Sequence, residues 1–130
     1  MKRRTAREKA LQALFQIDLS GTDAQEAINH VLEDKKRDEY LEFLVNGTVE
    51  NLGKIDEIIV NNLENWTIER LNNIDRNILR IAAFEMLKSS DVPVNAVIDE
   101  AIEIAKAFGD DQSGKFVNAV LSKIKQQLNL

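Results

Sequence analysis

The chain has 130 residues, of which 44% are hydrophobic and 30% are charged, so it is long enough for one domain with a substantial core. It has no cysteine and one histidine, which excludes disulfides, thiolate metal ligands and any site that needs two histidines. One proline and five glycines favour helices over a turn-rich β fold. No segment fits a secretory signal or a membrane span, and the lack of cysteine suits a reducing cytoplasm.

The net charge of −5 is distributed unevenly along the chain. Residues 1–9 carry five basic side chains against one acidic side chain, a net charge of +4, so the remaining 121 residues carry −9. An acidic body repels nucleic acid, whereas a local basic cluster attracts phosphate groups. A solvated basic end and a membrane-surface helix explain the same cluster, so charge alone leaves three alternatives. The basic side chains are Lys2, Arg3, Arg4, Arg7 and Lys9.

Apolar spacing predicts a first helix over residues 4–19 and a second over Ala24–Glu33, separated by a turn and capping residue at Ser20–Asp23. Leu11 and Phe15 lie off the apolar stripe of the first helix. Two interpretations are equally supported: another helix of the fold covers these side chains, or they bind a partner protein.

A mixed-charge connector, Asp34–Glu39, is interpreted as the solvated start of a long helical pattern from Tyr40 to Leu63. Gly47 and Gly53 lie inside that pattern, and each weakens a helix by about 1 kcal/mol relative to alanine. One of them is therefore expected to mark a bend or a close contact between helices. A short helical segment is predicted to begin at Trp66.

The stretch Asn73–Leu87 is predicted to be the central helix of the fold. Its apolar residues fall almost all round a helical wheel, which is typical of a helix packed on several sides. The exceptions form one narrow polar strip, which we expect to face solvent or a partner. The strip consists of Arg76, Asn77 and Arg80.

Two further helices are predicted after a connector that contains Pro93. The first is Val94–Phe108, which Gly109 ends, and the second runs from about Gly114 to Leu128 with Ser113 as its cap. The chain is thus predicted to be all-α, with about seven helices in two packed helical bundles. We expect a single domain, 1–130, with sub-bundles at about 1–65 and 66–130.

The segment Gly109–Lys115 reads G-D-D-Q-S-G-K and matches the first seven positions of a phosphate-binding P-loop. Phe116 stands where the P-loop needs a hydroxyl, and a helix rather than a strand precedes the segment, so nucleotide hydrolysis is excluded. A helix N-terminus beside Lys115 still favours a phosphate group.

Phe116 is predicted to lie at the edge of the apolar face of the last helix, on the same side as Lys115 and Lys123. An aromatic ring between lysines can stack on a base, which contributes about 1–3 kcal/mol, while the lysines bind phosphates. A phenylalanine packed at the rim of the core is the alternative. No acidic pair is accompanied by a catalytic arrangement, so we expect no enzyme activity, no cofactor and no metal.

Four segments together resemble the NusB family of bacterial transcription antitermination factors, over essentially the whole chain. They are MKRRTAREKALQALFQID, NIDRNILRIAAFEML, DVPVNAVIDEAIEIAKAFG and KFVNAVLSKIK. The resemblance implies an all-helical protein that binds single-stranded boxA RNA of ribosomal RNA operon leaders as a heterodimer with ribosomal protein S ten, called NusE in this role. The complex then acts with RNA polymerase and other Nus factors.

The resemblance also implies roles for particular residues. The RNA-binding set comprises Lys2, Arg3, Arg4, Arg7, Lys115 and Phe116, to which spacing adds Lys123. The set expected near the NusE surface comprises Phe15, Asp75, Arg76 and Arg80. Ala119 departs from the family, where glycine is commoner. Two alternatives remain: a helical adaptor that binds only proteins, and a detached RNA-binding domain of an rRNA cytosine methyltransferase.

Overall fold

In the computed structural model, which describes residues 1–130, the chain forms seven α-helices and a short 3₁₀-helix, with no strand. This confirms the predicted all-α fold. None of the helices combines the length and hydropathy that crossing a bilayer requires. The elements are α1 (Arg3–Ser20), α2 (Ala24–Leu32), α3 (Glu39–Glu50), α4 (Leu52–Val60), the 3₁₀-helix (Ile68–Arg70), α5 (Asn73–Lys88), α6 (Val94–Phe108) and α7 (Asp111–Gln127).

Helix α5 is the centre of the fold. It packs against α1, α3, α4, α6 and α7, and every residue from Asn77 to Met86 is buried. Its N-terminus is capped by Asn72, whose side chain accepts a hydrogen bond from the backbone N–H of Asp75 at 2.8 Å. The buried hydrophobic residues of the whole chain form one cluster of 31. The apolar residues of α5 thus lie all round the helix because other helices pack against it on several sides.

The long pattern predicted from Tyr40 to Leu63 is two helices, because Asn51 leaves the helical conformation at φ −111° and ψ 18°. Its side chain donates to the carbonyl oxygen of Gly47 at 2.7 Å. Gly47 has a packing role: a Cβ atom there would lie 2.0 Å from Cζ of Phe84. The bend therefore lies at Asn51 and not at a glycine, whereas Gly47 allows the close contact between α3 and α5.

Two helix starts differ from the sequence prediction. The connector before α3 is not helical at residues 34–38, and Asp38 caps α3 by accepting from the N–H of Leu41 at 2.9 Å. Helix α7 begins at Asp111, three residues before the predicted start, because Asp110 caps it by accepting from the N–H of Ser113 at 2.9 Å. In both segments an aspartate is the effective cap, since its carboxylate also complements the helix dipole.

Candidate functional site

The basic end of α1 presents two arginines at the surface. Arg3 and Arg4 occupy the first positions of the helix and are exposed. The guanidinium of Arg3 donates to Asp91 at 3.0 Å and lies 3.9 Å from the ring centroid of Tyr40. Arg4 donates two hydrogen bonds to the carboxylate of Glu100, at 2.8 and 2.9 Å. Carboxylates thus occupy the positions in which phosphate oxygens also bind a guanidinium.

Both carboxylates are stabilised in their ionised form. The hydrogen bond from Arg3 lowers the pKa of Asp91, and the hydrogen bonds from Arg4 lower the pKa of Glu100. Lys2 is also exposed and is not engaged in an ion pair. Three of the four residues predicted to bind RNA at this end of the chain are therefore surface groups.

Arg7 differs from its neighbours because it is buried. Its guanidinium donates to the carboxylate of Glu85 on α5, with contacts of 2.6 and 2.9 Å, and Glu85 also accepts from the hydroxyl of Tyr40. Burial disfavours the charge of Arg7, but the contacts with Glu85 outweigh it and raise the pKa of Arg7. The expectation of one exposed cluster is therefore wrong at Arg7, which points into the protein and joins α1 to α5.

The polar strip of α5 faces other helices of the same chain. Arg76 donates to Asp18 of α1 at 2.6 and 3.0 Å, and Asn77 donates to the same carboxylate at 3.2 Å. Arg80 donates to Asp56 of α4 at 2.8 and 2.9 Å. The expectation that this strip faces solvent or a partner is wrong, because two acidic residues distant in sequence neutralise it. Burial opposes the charge of Asp18, but hydrogen bonds from Arg76 and Asn77 outweigh it and lower its pKa.

One side of α1 becomes progressively more exposed toward its C-terminus. Leu11 is fully buried, beside Ile81 of α5 and Ile104 of α6, so helices of the fold cover it. Phe15, one turn later, is half-buried, and Leu19, one further turn on, is 71% exposed. The apolar surface available to a partner on this helix therefore begins at Phe15.

A second set of residues predicted to bind RNA lies on α7. Lys115 is exposed, while Phe116 is half-buried and packs against the core. The Nζ atom of Lys123 contacts a carboxylate oxygen of Glu64 at 2.6 Å. Lys123, predicted to bind RNA, is thus paired within the chain in the same way as Arg3 and Arg4.

Phe116 borders an open groove of about 450 Å³ between the N-termini of α5 and α7, which we call the α5–α7 groove. Asp75, Arg70 and Trp66 also line this groove. Asp75 is buried, and one of its carboxylate oxygens has no hydrogen-bond partner; burial raises its pKa. Trp66 was not predicted to be a site residue, although a lone tryptophan in the polar segment ENWTIER is a recognisable signal.

The two predicted basic regions lie at different parts of α6. Arg4 contacts Glu100 in the first half of this helix. Gly114, which directly precedes Lys115, packs against the second half, since a Cβ atom at Gly114 would lie 3.0 Å from Cγ of Lys106. An extended polyanion that follows α6 can contact both regions.

Comparison with known proteins identifies relatives of the whole chain. The family model described as "NusB family" matches residues 4–126. Over 128 residues the chain is 57% identical to the transcription antitermination protein NusB of Bacillus licheniformis, covering 98% of this chain and 99% of that protein. It is 56% identical to the NusB of Bacillus subtilis over 128 residues, covering 98% of each.

Solved structures show the same fold. A structure of T. maritima NusB matches with a TM-score of 0.89 at 37% identity, covering 100% of this chain and 99% of that one. A crystal structure of the antitermination factors NusB and NusE in complex with double-stranded RNA matches with a TM-score of 0.87 at 34% identity, covering 96% of each chain. These likenesses extend over both basic regions described above.

Proposed function

The chain belongs to the NusB family of transcription antitermination factors, and on that premise we propose that it binds single-stranded boxA RNA of ribosomal RNA operons together with NusE. It is not an enzyme, as the family works by binding. In this proposal the complex joins RNA polymerase and other Nus factors in the cytoplasm and promotes processive transcription of ribosomal RNA.

The observation that carries the proposal is the pair of exposed arginines at the start of α1. Exposed ion pairs contribute little to stability because water screens them and ordering the side chains costs entropy. RNA phosphates can therefore replace Asp91 and Glu100 at Arg3 and Arg4 at a small cost, while Lys2 adds a further charge. Arg7 acts indirectly, since its buried pair with Glu85 holds the helix that presents these arginines.

The presence of two basic regions supports a strand as the ligand. Arg4 pairs with a residue in the first half of α6 and Lys115 lies beside its second half, so one RNA strand that follows α6 can contact both. The acidic body of the chain disfavours RNA elsewhere, which restricts binding to this path. A related structure contains NusB, NusE and RNA together, which supports the same combination here.

We place the NusE surface around Phe15. The half-buried ring of Phe15 and the exposed side chain of Leu19 form an apolar stripe that this chain leaves uncovered. Arg76 and Arg80 support that surface indirectly in this proposal, because both guanidinium groups bind acidic residues of the chain, and Arg76 fixes Asp18 on the same helix as Phe15.

The proposal is tested by fluorescence anisotropy with a labelled boxA-like single strand and a scrambled strand of equal composition, each with and without NusE. We expect tighter binding of the boxA-like strand, and a further increase when NusE is present. Phe15→Ala should remove the increase caused by NusE while leaving RNA binding by the chain alone unchanged. Equal binding of both strands in both conditions would contradict the proposal and favour a helical adaptor that binds only proteins.

A further inference from the structure

The α5–α7 groove has features of a site for a flat aromatic ligand. Trp66 and Phe116 both line it. The side chain of Trp66 is exposed, although exposing a large aromatic side chain to water is unfavourable. Trp66 as a whole is 53% exposed, whereas Phe116 is half-buried. The groove is open, and its volume of about 450 Å³ lies within the range of roughly 300–1,000 Å³ that is usual for ligand sites.

The segment that carries Trp66 contacts α7 at two points. Lys123 of α7 pairs with Glu64 at 2.6 Å, and the side-chain amide of Asn62 donates to Gln127 of α7 at 2.6 Å. Asn65, which directly precedes Trp66, adopts a left-handed conformation with φ 64° that asparagine tolerates. The indole ring is thus presented beside α7 by contacts on the polar side of the segment, which leaves the ring itself free for another molecule.

The charges around the groove suit a base inside it and phosphates at its edge. Asp75 and Asp110 line the groove and disfavour a phosphate within it. Arg70 also lines the groove and is exposed, and Lys115 precedes Phe116 on α7; neither side chain forms an ion pair in this chain. A nucleotide with its base between the aromatic side chains and its phosphates at the two cations satisfies both conditions.

We propose that the α5–α7 groove holds one unpaired nucleobase of the bound RNA strand, with Trp66 as its main stacking surface and Arg70 and Lys115 as contacts for the adjoining phosphates. This inference rests on the proposed RNA binding and adds Trp66 and Arg70 to the residues involved.

Because Trp66 is the only tryptophan, the intrinsic fluorescence of the chain reports on this groove alone. Unlabelled boxA-like RNA is titrated into the protein while emission is recorded, and anisotropy of the labelled strand gives the affinity in parallel. We expect emission to be quenched with the same midpoint as the anisotropy change. RNA that binds by anisotropy and leaves the emission unchanged would overturn the groove proposal and leave RNA binding intact; no binding in either signal would overturn both.

Variants then test whether the RNA affinity depends on the indole ring of Trp66. Trp66→Ala should weaken RNA binding by roughly five- to a hundredfold, the range expected for one stacked base, and Trp66→Phe should retain most of the affinity. Val60→Ala is the matched control, because Val60 is also exposed and apolar, at 42%, but does not line the groove. Equal affinities of the parent and Trp66→Ala would overturn the proposal.

The RNA supplies the complementary test. Each nucleotide of the strand is replaced in turn by an abasic nucleotide. One position should abolish the quenching, and at that position Trp66→Ala should cause no further loss of affinity, because the same stacking contact is already absent. Loss of quenching spread evenly over all positions would overturn the assignment of a single base. Quenching by NusE and not by RNA would likewise overturn it and assign the groove to a protein.

Discussion

Four of the seven arginines of this chain lie in two regions that differ in exposure more than in partners. At the surface, the side chains of Arg3 and Arg4 are 44% and 55% exposed, whereas those of Arg7 and Arg80 are 8% and 10% exposed. All four form close pairs with carboxylates. Surface pairs exchange partners easily, whereas a buried charge that loses its partner is strongly destabilising. The same residue type therefore joins helices in one region and, in our proposal, binds the ligand in the other.

The largest expected effect comes from breaking a buried pair. Glu85→Ala leaves the guanidinium of Arg7 unpaired inside the protein and removes a hydrogen bond of the Tyr40 hydroxyl. We expect the free energy of unfolding, measured with urea, to fall by about 3–5 kcal/mol. Asp91→Ala is the control, since it removes the partner of an exposed arginine and should leave stability almost unchanged. Similar losses for the two variants would contradict the distinction between the regions.

A second variant tests how tightly α3 packs against α5, next to the buried pair of Arg7 and Glu85. Gly47→Ala would place a Cβ atom 2.0 Å from the ring of Phe84, so that buried ring or the helices that carry the two residues must shift, and about 1–3 kcal/mol of stability should be lost. Gly53→Ala is the matched control, because a Cβ atom at Gly53 meets no atom within 4 Å. This control should be as stable as the parent or more stable, since alanine favours a helix. Equal stability of the two variants in thermal unfolding would refute the close contact.

The carboxylates of Asp18 and Asp75 predict opposite responses to pH. The pKa of Asp18 is lowered in the folded chain, so its contribution to stability is present above its unfolded pKa and is lost as the pH falls through the folded value. The pKa of Asp75 is raised, so its contribution is present at low pH and is lost as the pH rises through the folded value. Asp75→Asn should therefore be more stable than the parent at pH 7, by an amount that narrows toward pH 4. A difference that is independent of pH would contradict the assignment.

The smallest expected effect lies at the surface. Asp91→Asn removes the carboxylate that competes with phosphate for Arg3, so RNA affinity should rise by about two- to fivefold, the scale of one exposed ion pair. Glu57→Gln, which removes an exposed acid on α4 that is in no ion pair, controls for the change in net charge. An equal rise in both variants would show that net charge, and not the partner of Arg3, determines the affinity.

The spacing of apolar residues predicted the helices well. It did not predict the ion pairs between residues that are distant in sequence. The central helix followed directly from its apolar circumference, and the structure confirms it. The partners of its polar strip did not follow, because Asp18 and Asp56 lie on other helices and no spacing rule connects them to Arg80. The start of α7 was misplaced because Asp110 and Ser113 are both good caps, and local sequence does not decide between them.

Part of the candidate site was also predictable from the sequence. The basic end and Phe116 were recognisable from charge and spacing, and their roles in RNA binding stay predictions. Arg7 was grouped with the other basic residues of 1–9 because of its charge, but it is also spaced three and four residues before Ala10 and Leu11, which are buried. That spacing was a signal for its inward position. The pairing with Glu85 depends on how α1 meets α5 and was beyond the sequence.

The most direct test of the account is the salt dependence of RNA affinity for the parent and three variants. Each phosphate contact on a single strand adds about 0.7 to the slope of log affinity against log salt concentration, so Arg3→Ala combined with Arg4→Ala should reduce the slope by about 1.4. Lys54→Ala, which removes an exposed lysine on α4, should leave both affinity and slope near the parent values. Phe116→Ala should weaken binding and preserve the slope, because stacking releases no counterions. An unchanged slope in the double arginine variant would contradict the claim that these exposed arginines bind the RNA.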